Sequence, residues 1–150
     1  MRGCYTNVAQ FSLSAAKTLM YITGPAAENV RVLSARVTNA DNETNEQLDV
    51  GWRKVSALGT PTATTITPSK HESGDQAAGS TVKANVTAAE PTYGTEVHAR
   101  RGVPSIPGYR YEPTEREELV IGPAETWGLY NYGAPAAITV NVEVVMREEG

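Results

Sequence analysis

The sequence predicts an all-β fold: a jelly-roll-like β-sandwich of about 8–10 short strands with long Pro- and Gly-rich loops. Three observations predict it. Apolar and polar residues alternate with period two, most plainly in "ITVNVEVVMREEG" (138–150). There Ile138, Val140, Val142, Val144 and Met146 share one face, and Thr139, Asn141, Glu143 and Arg147 the other. The 13 glycines and 9 prolines are spread along the chain as punctuation. Extended Leu/Lys/Glu helical periodicity is missing.

The elements follow in order. "YTNVAQFSL" (5–13) places Tyr5, Ala9, Phe11 and Leu13 on one face of a first strand. "AKTLMYIT" (16–23) is a second, stopped by Gly24-Pro25. "NVRVLSARVT" (29–38) is rich in β-branched residues, and both of its faces are partly apolar, as in a central strand. A polar loop (39–46) leads to "QLDVGWRKV" (47–55), with Leu48, Val50 and Trp52 opposite Asp49, Gly51 and Arg53. Residues 57–80 hold one short strand at 64–67 and a single helical turn at 75–78, with Asp75 as its N-cap. "TVKANVT" (81–87) alternates again. Segment 88–118 reads as long connections around two short strands, at 96–100 and 108–112. "ELVIG" (118–122) and "WGLYNYG" (127–133) precede the last strand. The crossover at 88–118 suits a sandwich better than an up-and-down barrel.

At 150 residues the chain is one domain, 1–150, long enough to bury a core without disulfides or metal. The 13 basic and 17 acidic residues leave a net charge of −4, which argues against nucleic acid as a partner. No apolar run reaches the roughly 20 residues needed to cross a bilayer, and no membrane partner is expected. The N-terminus lacks the apolar stretch of a signal peptide. Cys4, the single cysteine, reads as a buried or incidental thiol.

No motif for a reaction stands out. His71 and His98 are not at metal-ligand spacing and read as solvent-facing; no metal or cofactor is expected. There is no G-x-S-x-G turn, P-loop or G-x-G-x-x-G, so catalytic residues are none and the chain is not expected to be an enzyme. The carboxylates of "EREE" (115–118) and "REEG" (147–150) read as solvated ends, not a catalytic pair. The triplets at 42–44 and 85–87 match the N-glycosylation pattern without a signal peptide to give it meaning. Trp52 and Trp127 read as core. The candidate interaction residues are Tyr109 and Tyr111, on one face of "GYRYEP", with Arg100 and Arg101, which Lys83 and Arg110 could join in a small basic patch.

Segment order adds a resemblance. Phe11–Leu13, Ala16-Lys17-Thr18, the "GPAAENVRVL" stretch (24–33), the "TPSK" loop (67–70), "AAEPT" (88–92) and "APAAITVNV" (134–142) together resemble the small β-sandwich decoration (cement) proteins of tailed double-stranded DNA bacteriophages. The likeness spans most of the chain. Segment 104–118 is longer and more charged than in that pattern, and any partner specificity is expected there. The resemblance implies a structural virion protein on the outer surface of a phage head, assembled in the host cytoplasm. Its partner would be the major capsid protein lattice, and its own state a homotrimer. Residues 1–14 are a candidate N-terminal arm towards a neighbouring subunit. The alternative expectation is a tail- or fibre-associated module that recognises host-surface glycans through Tyr109, Tyr111 or the "WGLYNY" aromatics.

Overall fold

The structure, a computed structural model, describes residues 3–41 and 44–149. Twelve strands and no helix occur among them. In order they are β1 Gly3–Leu13, β2 Lys17–Thr23, β3 Asn29–Asn39, β4 Gln47–Ala57, β5 Thr62–Ile66 and β6 Ser69–Lys70. Then come β7 Thr81–Ala88, β8 Thr92–Pro104, β9 Tyr109–Tyr111, β10 Leu119–Ile121, β11 Thr126–Asn131 and β12 Ile138–Glu149. All pairings are antiparallel. Sheet A runs β10-β3-β12-β1-β6, with β9 also on β3; sheet B runs β5-β7-β2-β11-β4-β8.

Inner faces of both sheets feed one apolar cluster. Tyr5, Leu13, Val37, Val140, Val142 and Val144 come from sheet A, and Met20, Ile22, Val50, Trp52, Val82 and Leu129 from sheet B. This is the sandwich core the alternation predicts, and each fully buried Val, Leu or Ile contributes about 1.5–3 kcal/mol. Trp52 and Trp127 both lie in it.

Several expectations change. The two apolar faces of β3 are one inner face with a phase break. Val145 pairs with Ser34 and Met146 with Val32, so Leu33 is an extra residue. Val30 and Val32 before that bulge and Ala35 and Val37 after it all point inward. Segment 88–118 contains a 13-residue strand, β8, not a short one at 96–100. Its register against β4 shifts three times and Ala99 has φ +52°, so no period of two survives in its sequence. Residues 72–75 form a turn, closed by Asp75 N donating to Glu72 O at 3.1 Å, in place of a helical turn capped by Asp75. Residues 3–13 of the candidate arm pair along their whole length with the chain's own β12. Residues 1 and 2 of that arm, and residues 42 and 43 of the first glycosylation triplet, lie outside the described residues.

Candidate functional site

Two surfaces bring chemistry-bearing side chains together. The first is the seam where the β8 edge of sheet B meets β9 and the 112–118 segment. β9 pairs with β3, Tyr109 opposite Val37 and Tyr111 opposite Ala35, which turns both rings into the core. Tyr109 is fully buried and Tyr111 nearly so, which favours core packing over an exposed binding face for these two candidates. The phenol of Tyr109 donates to Ala99 O at 2.8 Å. That of Tyr111 donates to Glu117 O at 3.0 Å and accepts from Leu119 N at 2.7 Å. Burial raises both phenol pKa values above 10.0, so at neutral pH each is a fixed hydrogen-bonding group and not a base.

His98 is half-buried against this seam rather than turned to solvent. Its ring meets that of Tyr111 edge to face, with centroids 5.5 Å apart. Its Nε2 lies 3.0 Å from Tyr111 Oη and 3.1 Å from Glu117 O, which assigns the proton to Nε2. With Arg101, Glu112, Pro113 and Glu117 these groups line a cavity of about 250 Å³. Arg101 reaches back to donate to Arg110 O at 2.8 Å. Chemically the cavity can hold a small polar group between a guanidinium and carboxylates. The expected location of His71 is met: it is exposed, 2.7 Å from Thr6 Oγ1.

The second surface is the outer face of sheet B. In "VGW" and "WGL" the glycines point outward between inward Val50, Trp52, Trp127 and Leu129. A Cβ at Gly51 would stand 2.7 Å from the Cα of Arg100, and one at Gly128 would meet the phenol oxygen of Tyr93. Glycine at both positions lets β8 side chains lie flat on the sheet. Tyr93, Tyr130 and Tyr132 then stack edge to face in series, with centroids 5.4 and 5.0 Å apart. The Arg53 guanidinium sits over them at 4.3, 4.8 and 5.3 Å. Arg100 lies 3.6 Å from the Tyr132 centroid and holds Asp49 through two bonds of 2.7 and 3.0 Å. Each such cation–π contact is worth about 0.5–2 kcal/mol, more where water is excluded. The Arg100 pair keeps the Asp49 carboxyl below its ordinary range.

Arg100 and Arg101 therefore serve different surfaces, because consecutive strand residues point opposite ways. Lys83, on β7, is separated from β8 by β2, β11 and β4, so the expected four-residue basic patch is not assembled. The reading from sequence missed Tyr93, Arg53 and Glu90. Glu90 accepts from Thr18 N at 2.9 Å and from Thr18 Oγ1 at 2.6 Å, while Thr18 Oγ1 also contacts the Tyr93 phenol. The signal was present but unread: "AKT" and "AAEPT", noted separately, meet through this bond.

Together these features define an antiparallel two-sheet sandwich with a small polar seam cavity and an aromatic–guanidinium surface. Among the described residues no group of three or more His, Cys, Asp or Glu side chains is placed to hold a metal ion. Comparison with protein-family models, with curated proteins and with solved structures gave no match.

Proposed function

We propose that this chain is a structural virion protein, a decoration protein that binds the outside of a phage head and stabilises it through many weak contacts. The observation that carries the reading is the winding of the strands. Nine of them pair as β1-β12-β3-β9/β10 and β2-β11-β4-β8, with β5–β7 inserted at the edges. The first four strands alternate between sheets, as two Greek keys wound into a jelly roll do, and that architecture recurs in viral capsid domains and lectins. The motifs that carry the resemblance are consistent with it, since "AKT" and "AAEPT" brace each other on one surface through Thr18 and Glu90. Repetition over a lattice of major capsid protein turns modest contacts per copy into firm retention. Cryo-electron microscopy of particles produced with a tagged chain tests this. Density for the sandwich on the outer head shell is expected; particles whose head carries none would defeat the reading.

The glycan-binding alternative keeps one favourable observation, the half-buried Tyr130 and Tyr132 beside Arg53 and Arg100. Aromatic rings with flanking hydrogen-bond donors suit a sugar face. It predicts glycan affinity that Tyr132→Ala abolishes, and silence across a broad glycan array would remove it.

A further inference from the structure

We propose that the free edge of β1 pairs with the same edge of a second copy, antiparallel about a two-fold axis at Gln10, to join two sheets A into one. This does not rest on the decoration reading. β1 pairs with β12 through all eleven residues without a register shift. On its other side, among the described residues, it pairs only with β6, at Tyr5 and Thr6. From residue 7 to 13 no strand pairs with this edge, and Ser12 O on it accepts from Lys17 Nζ.

The direction of its backbone groups is fixed by two bonds. His71 N donates to Cys4 O at 3.0 Å and Lys17 Nζ to Ser12 O at 3.3 Å, both away from β12. Even-numbered residues thus aim their N–H and C=O outward, and those of Val8 and Gln10 form a ready template for another strand. The other edges carry devices that block such pairing. β8 is bulged and bears Glu96, Arg100 and Arg101. β5 has five residues between Pro61 and Pro68, and β9 and β10 have three each. The open part of β1, "NVAQFSL", has no charge, no proline and no bulge. Val8 is 55% exposed there, and the inner-face residues Ala9 and Phe11 are only partly covered.

Self-pairing fits this edge in one register. With Gln10 opposite Gln10 of the second copy, the outward groups of Val8 face those of Ser12. On the inner face Ala9 falls opposite Phe11, small against large, twice. Residue 7 falls opposite residue 13, so the pair ends where β1 ends and stops short of Thr6, where β6 already sits. A shift by two residues towards the N-terminus would drive the second strand into β6 and set Asn7 against Phe11. Gln10 is neutral, so no like charges meet at the two-fold axis; the Lys17 ammonium, held by Ser12 O and Asn85 Oδ1, lies at the ends of the pair and must give up or share Ser12 O with Val8 N of the second copy.

The test is the solution mass and amide exchange of the full chain. Light scattering should give twice 16.0 kDa. Exchange of the Val8 and Gln10 amides should slow about tenfold or more as concentration rises through the dimer range. Gln10→Lys should yield a monomer with unchanged circular dichroism, and Val97→Lys on the β8 edge should leave the dimer intact. A monomer at all concentrations, a trimer, or a dimer whose Val8 and Gln10 amides exchange freely would each overturn the proposal.

Discussion

Glu148 continues the inward face of β12 two residues past Met146, and it is fully buried. Its carboxylate accepts from Gly79 N at 3.0 Å, Ser80 N at 2.7 Å and Ser80 Oγ at 2.6 Å. These bonds hold the segment that feeds β7 against the end of sheet A. A buried carboxylate survives only with such donors, and donors left without it would be stranded. From sequence, "REEG" reads as a solvated end, yet the same alternation that finds the core puts Glu148 inside. Glu148→Ala should cost about 3 kcal/mol, the scale of several charge-assisted bonds lost together. Urea denaturation measures it; a loss below about 1 kcal/mol would mean that water replaces the carboxylate freely.

At the scale of elements, β4, β8 and β11 are fitted together by the bare backbone of Gly51 and Gly128. Gly128→Ala drives a methyl into the Tyr93 phenol, which is tied to Thr18, so the ring cannot swing aside without losing that bond. The substitution should destabilise by about 1–3 kcal/mol in the parent. In a Tyr93→Ala background the collision is gone, and the same change should cost about 1 kcal/mol less. Additive losses in this double-mutant cycle would refute the packing account. The same strands show what the sequence made legible. β1, β2, β7, β11 and β12 follow from alternation and from stops such as Gly24-Pro25. β8 was largely hidden, because bulges break its period and its outward residues are polar. The site suffered more. The loop-like neighbours of Tyr109 and Tyr111 leave core and interface equally open, whereas three ladder pairs with β3 turn both rings inward. Arg53 and Tyr93 were unreadable as partners, since only the sheet order β11-β4-β8 makes them neighbours.

For the whole molecule, tyrosine burial sets an upper pH limit on folding. Burial is the leading cause of a raised pKa in Tyr21, Tyr93, Tyr109, Tyr111 and Tyr130, five of the seven tyrosines. Desolvation disfavours the phenolate, so these rings stay protonated in the fold where an unfolded chain would already have ionised. Below the ordinary value of 10.0 both states hold the proton and the fold keeps its full stability. Above 10.0 the unfolded chain binds fewer protons than the native one, so stability falls as pH rises towards the raised values. Tyr21, Tyr93 and Tyr130 lie on the outer face of sheet B; Tyr109 and Tyr111 lie in the two-sheet core, so exposing them requires the sheets to part. Phenolate absorbance should therefore rise in a cooperative step above pH 10.0, together with loss of the β-sheet circular dichroism signal. Tyr109→Phe removes one ionising ring and the bond to Ala99 O, so it should lower stability at neutral pH while shallowing the alkaline slope. Gradual ionisation of all seven rings near pH 10.0, with the dichroism intact, would mean that these phenols are in contact with water.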